Sequence, residues 1–261
     1  MKYWEFYLEP TRYAEDFYHI GSRTAPCWLL KSTDGLILID TGLPQTLYHI
    51  LLNVQKLGLD YRDIKHIIHS HGHIDHIGGT RALVELTGAK TYIGERDADM
   101  ASGKNQLQWT NEFHRPFEEP FEPDYLIKDG EKLVIGDKTF LCLSTAGHTA
   151  GTLTLFFNVT DQGKSYRAAM FGGGGLKSME RSYLEKYGLP MSLREEFLQG
   201  IDRVFNEKVE MHVGNHLGDN KHFEKLEKIG ETTNPFLDGE SWKWFLTMRR
   251  AEAVEFFKND P

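Results

Sequence analysis

Ile64-Lys65-His66-Ile67-Ile68-His69-Ser70-His71-Gly72-His73-Ile74-Asp75-His76-Ile77-Gly78-Gly79 is the stretch on which the reading of this chain turns. Its apolar start predicts a short buried strand. Its Gly-Gly end leads into a helical pattern from Thr80 to Leu86, stopped by Gly88. Between them, His71, His73, Asp75 and His76 crowd into six positions. Neutral imidazoles and a carboxylate are the donors that a borderline cation such as zinc prefers. Four donors on so short a loop do not reach one tetrahedral centre comfortably, and two neighbouring metals sharing the loop is the simpler geometry. As alternate residues of an extended segment, His71 and His73 point to one side, and Asp75 and His76 fall to a second site. A lone His-x-His is often a solvated loop; the full pattern between a strand and Gly-Gly is what points to metal. His66 and His69 sit on the strand itself and read as core or edge histidines.

Two further histidines occupy places of the same kind. Ser144-Thr145-Ala146-Gly147-His148-Thr149-Ala150-Gly151 lies between two predicted strands, over 139–144 and 152–159. A histidine between glycine turns at a strand end projects freely, so His148 is the natural third ligand beside His71 and His73. His216, in Gly214-Asn215-His216-Leu217-Gly218-Asp219, follows a predicted strand over 209–213 and can complete the set with Asp75 and His76. His212, inside that strand, reads as structural. The run Leu36-Ile37-Leu38-Ile39-Asp40 ends an apolar strand in a carboxylate, which is costly without a partner. Asp40 either caps a turn or orients the metal loop from behind.

Outward from there, residues 4–8, 17–20, 27–31 and 36–40 read as strands, with Asp34-Gly35 as a hairpin turn. Pro44 opens a helix to Leu57 with Gly58 as its stop. A strand over 90–94 completes a strand-helix-strand-helix-strand order, the signature of an α/β layer architecture. Residues 103–125 scatter aromatics among three prolines, and read either as a lid or wall over the site or as a loop packing its own rings. His114, within it, receives no metal role. Strands over 132–135 and 139–144, joined by Gly136-Asp137, begin a second β-rich half that continues with a strand over 166–171. Gly172-Gly173-Gly174-Gly175 permits positive φ and close backbone approach, without the spacing of a phosphate-binding loop. Helices are expected over 178–187 and 193–206, from near Asp219 to a break at Asn234-Pro235, and over 240–257.

Composition narrows the function. The chain has 261 residues, ordinary apolar and charged content and a net charge of −8. Acidity disfavours nucleic acid as a partner. No stretch approaches the length of a membrane span, so no membrane association is expected. The N-terminus lacks the charged-then-apolar form of a secretory signal, so a cytoplasmic location is expected. Cys27 and Cys142 lie in apolar runs and read as buried thiols. A single hydrolase domain over 1–261, acting on a small-molecule substrate, is the expectation; the oligomeric state is left open.

Taken together, the strand ending in Asp40-Thr41-Gly42, His71-x-His73-x-Asp75-His76, Gly147-His148-Thr149-x-Gly151 and the late His216 resemble the metallo-β-lactamase superfamily. The resemblance runs from about Phe17 to Phe245. It implies a four-layer αββα sandwich, class α/β, with two zinc ions at one edge of two packed sheets. It assigns His71, His73 and His148 to the first zinc, and Asp75, His76 and His216 to the second. Many hydrolases of the superfamily carry a metal-bridging Asp where this chain has Phe171 and the glycine run; the true β-lactamases lack it too. The all-histidine first site and the run Asn215-His216, Gly230 and Asn234-Pro235-Phe236-Leu237 are similar to the third subclass of metallo-β-lactamases. The diiron branch has Glu where His73 stands, which favours zinc. Three departures from that subclass are the missing export signal, glycines in place of a substrate-holding serine, and the missing C-terminal disulfide.

The expected activity is zinc-dependent cleavage of a carbonyl C–N bond, as in a β-lactam-like cyclic amide, by a metal-bound hydroxide that Asp75 helps to aim. The alternative is an intracellular zinc hydrolase of a lactone, ester or thioester. A metal-binding or sensing module and a nuclease are disfavoured by the complete ligand set and by the acidity. Trp109, Lys177 and Ser178 are the residues outside the metal set to watch for substrate contact.

Overall fold

Alternation along the strands decides which faces meet. The computed structural model describes residues 2–114, 116–230 and 234–261. Its first sheet has seven strands in sequence order: β1 (Thr11–Ala14), β2 (Phe17–His19), β3 (Trp28–Ser32), β4 (Gly35–Ile39), β5 (Ile64–Ile68), β6 (Lys90–Gly94) and β7 (Tyr125–Ile127). β1 to β4 form an antiparallel meander, and β4 to β7 run parallel. The second sheet holds β8 (Glu131–Ile135), β9 (Lys138–Ser144), β10 (Leu153–Asp161), β11 (Lys164–Phe171) and β12 (Met211–Val213), antiparallel except for β11 and β12.

Ile37, Ile39 and Ile68 of the first sheet share one core with Leu155 and Phe157 of the second. Their sequence neighbours Leu36, Leu38 and Ile67 face the other way, onto Ile50 and Val54 of α1 (Leu47–Lys56) and Leu83 of α3 (Thr80–Thr87). Phe156 and Phe171 likewise face out, onto α6 (Ser192–Val204) and α8 (Glu240–Asn259) through Phe197, Trp242 and Phe245. Period-two patterning thus yields four layers, α/β/β/α, in one domain. The remaining helices are α2 (Ile74–Ile77), α4 (Ala98–Ala101), α5 (Arg181–Tyr187) and α7 (His222–Leu226).

Strand direction gathers the site. The C-terminal ends of β4 and β5 lie at one edge, and those of β9, β11 and β12 at the facing edge. A Leu153 N–H to Ser70 carbonyl bond of 2.9 Å ties the edges together.

Several expectations are corrected. Residues 4–8 are not a strand: Tyr3–Phe6 is a 3₁₀ turn, and only Tyr7 forms a bridge, to Ser22. Trp4, Phe6 and Leu8 alternate, but none of Tyr3 to Phe6 is buried and Trp4 is largely exposed, so the alternation has no sheet face to pack against. β1 is a strand that the sequence reading missed. Tyr125 belongs to β7, which shortens the 103–125 loop at its end. The helix expected from Asp219 is only α7, entered by Lys221 at φ 57°; the end of the expected span, over 231–233, lies outside the described residues. None of Gly172 to Gly175 has positive φ.

Candidate metal centre

The loop after β5 brings two imidazoles, those of His71 and His73, edge-on against His148. His71 Nε2 lies 3.1 Å from His73 Nδ1, which lies 3.0 Å from His148 Nε2. The other ring nitrogens of two of them are already used. His148 Nδ1 donates to the Gly175 carbonyl at 2.8 Å, and His71 Nδ1 lies 3.1 Å from Ser70 Oγ. With those protons placed on Nδ1, the inward atoms of His71 and His148 are lone pairs. Burial, reinforced by the neighbouring imidazoles, drives His71 and His73 well below the ordinary histidine pKa and His148 down to about 4. Three neutral rings with nitrogens about one contact apart suit a small cation with nitrogen affinity, and zinc fits this donor set.

A second donor group stands beside the first. His76 Nε2 is buried, has no hydrogen-bond partner and lies 3.4 Å from Asp75 Oδ2. His216 Nε2 is 3.7 Å from the same oxygen. His71, Asp75 and His76 offer donor atoms within 4.8 Å of one another; His216 stands at the rim. Burial disfavours the imidazolium of His76, but Asp75 and Asp40 outweigh it and raise its pKa to about 10. Burial likewise opposes ionisation of Asp75, and His76, His216 and His73 outweigh it, holding the carboxyl well below the usual range. A proton on His76 thus sits where a cation can replace it.

Behind these donors lies a hydrogen-bonded frame. Asp40 takes φ 59° and turns its carboxylate inward, almost wholly buried. Its Oδ2 accepts from His76 Nδ1 at 2.8 Å and from Ser70 Oγ at 2.7 Å, and its Oδ1 accepts from the Ser70 N–H at 2.8 Å. The carboxylate therefore orients the loop from behind rather than merely capping a turn. Asn215 Nδ2 donates to Ser70 Oγ at 3.0 Å, and His216 Nδ1 donates to the Thr24 carbonyl at 3.2 Å.

The glycine run serves close approach alone. A Cβ on Gly173 would stand 2.4 Å from His148 Cδ2, and one on Gly175 2.9 Å from its Cε1. Ser178 is buried, donating to the His148 carbonyl at 2.6 Å, while Lys177 is exposed. Trp109, at φ 69°, lays its ring 5.5 Å from that of His73 and 4.9 Å from that of Tyr183. A cavity of about 440 Å³ opens beside Asp75, with Phe6, Leu43, Ile74, Thr110 and Pro116 in its walls.

Five of the six donors expected from spacing fall in two groups whose donor atoms lie within 4.8 Å of one another; His216 belongs to neither and reaches Asp75 Oδ2 at 3.7 Å. His66 pairs with Tyr92 and Asp34, His69 meets Thr80, and His212 packs between Trp242 and Phe245, so these three stay structural. Both cysteines are free and buried. Sequence reasoning missed Ser70 and Asn215. Ser70 lies next to the first donor, which is a usable signal; Asn215 bonds it across 145 residues and leaves none.

Among the described residues no helix is long and apolar enough to cross a membrane. The family model described as the metallo-β-lactamase superfamily matches residues 20–161. The chain spans about half the length of most of the curated relatives it matches, as with the uncharacterized protein YobT of Bacillus subtilis: 30% identity, 49% of this chain and 54% of that protein. A hydroxyacylglutathione hydrolase of Prochlorococcus marinus is 25% identical, over 88% of this chain and 87% of that enzyme. BJP-1, a subclass B3 metallo-β-lactamase of Bradyrhizobium japonicum, superimposes with a TM-score of 0.89 at 25% identity, covering 100% of this chain and 97% of that one. This chain belongs to the metallo-β-lactamase superfamily and has its hydrolase fold.

Proposed function

We propose that this chain is a dinuclear zinc hydrolase that opens the carbonyl C–N bond of a β-lactam-like cyclic amide. The observation that carries the reading is the trio of neutral, inward-facing ring nitrogens 3.0–3.1 Å apart. His71, His73 and His148 would hold one zinc, and Asp75, His76 and His216 the other. Bound zinc would polarise the substrate carbonyl and lower the pKa of water from 15.7 to about 7. Asp75, kept ionised by its histidine neighbours, accepts a hydrogen bond from the attacking water and aims it. Asp40 keeps the His76 ring turned toward Asp75. The segment 103–125 forms a wall of the substrate cleft, through Trp109, Thr110 and Pro116, and the apolar cavity beside Asp75 takes a small-molecule substrate's apolar arm.

The cyclic-amide reading is supported by the likeness to a subclass B3 enzyme along the whole chain and by a glycine run without a carboxylate where many superfamily hydrolases have one. A lactone, ester or thioester is the second reading, favoured by the likeness to a hydroxyacylglutathione hydrolase over most of the chain.

The test is turnover by zinc-loaded protein of a chromogenic β-lactam and a carbapenem, beside a lactone and a thioester, with a chelator control. Chelator-sensitive β-lactam turnover with kcat/KM of about 10⁴ M⁻¹s⁻¹ or more is expected. Negligible β-lactam turnover with clear lactone or thioester cleavage moves the function to the second reading.

A further inference from the structure

Asp97 has no part in the two donor groups, yet it touches both loops that supply the first one. It closes the 3₁₀ turn Glu95–Asp97 directly after β6 and is fully buried. Its Oδ2 accepts from the Gly72 N–H at 2.8 Å and from Thr149 Oγ1 at 2.6 Å, and its Oδ1 accepts from the Gly151 N–H at 2.7 Å. Gly72 is the residue between His71 and His73, and Thr149 follows His148. One loop springs from the first sheet and the other from the second, so a single carboxylate bridges the two halves of the sandwich at their shared edge.

We propose that Asp97 is the positioning residue of the three-histidine group, latching the His71–His73 loop to the His148 loop and so fixing the spacing of the facing nitrogens. The proposal rests on the reading of that group as a metal site. Three donors arriving from two loops need two acceptor oxygens on one rigid stem, which a carboxylate offers and an amide does not. The backbone is cut to fit it: a Cβ on Gly151 would stand 2.6 Å from Asp97 Cγ and 2.7 Å from its Oδ1. Arg96, next in the chain, pins the turn to α6 by donating to Glu196 at 2.7 Å. A shift of the Gly72 amide carries His71 and His73 with it, because they are its two neighbours.

The test compares wild type, Asp97→Asn and Thr149→Val in metal titrations against a chromogenic chelator, with cobalt(II) absorption spectra of the first site and melting of the metal-free proteins. Asp97→Asn is expected to weaken the first site by about 10–100-fold, to shift the cobalt spectrum, and to leave the second group's affinity unchanged. Thr149→Val is expected to give a smaller change of the same kind. An Asp97→Asn protein that melts lower but keeps first-site affinity and spectrum overturns the proposal, as does an equal loss at both sites. Where Asp97→Asn does not fold, unchanged affinity and spectrum in Thr149→Val overturn it. A wild type that binds no metal refutes the reading of the site itself, and with it this proposal.

Discussion

The two donor groups are neighbours, yet they are built to different standards. In the trio, His71 and His73 are buried and His148 is half-buried, and the facing nitrogens are 3.0–3.1 Å apart. In the group of Asp75, His76 and His216, only His76 is firmly held, by Asp40; the His216 side chain is 46% exposed and reaches Asp75 only at 3.7 Å. The difference follows from chain origin. Both groups draw on the loop after β5, but the His148 ring is cradled by a glycine run and a buried serine, whereas the His216 ring bonds one carbonyl and its backbone N–H donates to Asp219. A preorganised site binds more tightly than one that must close around its ion. If the groups hold metal as proposed, the trio is expected to be the tighter site and the open group the one that exchanges.

The largest effect that can break this comparison is His148→Ala. Removing one of three converging donors is expected to abolish first-site binding and take turnover to background, read by zinc content and kcat/KM. A variant that kept both ions would dissolve the distinction. Next comes Asp40→Ala. It leaves the His76 Nδ1–H, the Ser70 hydroxyl and the Ser70 N–H without an acceptor, at about 1–3 kcal/mol for each buried donor. A melt of the metal-free protein should show that loss, and zinc titration should show the second site weakened more than the first. His216→Ala should be milder: one ion lost from the open group, the trio unchanged, and no large fall in melting temperature.

The two groups also differ in their protons, which sharpens the comparison. In the metal-free protein at pH 7, His148, with a pKa near 4, is neutral, and His76, with one near 10, is charged. Calorimetry in buffers of differing ionisation heat should find little proton release as the trio fills and about one proton as the open group fills. The stability signs are opposite as well. His76, raised above its unfolded value, stabilises the metal-free fold below about pH 6.5, and that contribution is lost as pH rises toward 10. His148, depressed, costs the fold stability as pH falls from about 6.5 toward 4, by up to about 1.4 kcal/mol per pH unit.

Both donor groups are legible in the sequence. Their donors sit on glycine-flanked loops directly after apolar strands, and spacing pairs His148 with His71 and His73, and His216 with Asp75 and His76. Asp40 was visible as a charge terminating an apolar strand. The framework that turns these residues into a site was mostly not visible. Ser70 and Asn215 meet across 145 residues, and such a contact leaves no local pattern. For the glycines of 172–175, φ freedom is half the expected reason, and close approach, of Gly173 and Gly175 to His148 and of Gly172 to the Leu153 carbonyl, is the whole of the observed one. The N-terminal turn is misread because the alternation of Trp4, Phe6 and Leu8 mimics a strand, and β1 is missed because four residues carry too little period to read.

The strand order of the first sheet has a consequence for how the molecule comes into being. Its seven strands lie side by side in the order in which they are synthesised, so each pairs with the one just made and closes only a modest loop. By the time β7 is complete at Ile127, four of the six donors are already on one loop, at the edge of a finished sheet. His148 and His216 come only with the later sheet, so closure of the second half over the first is the event that completes the donor set.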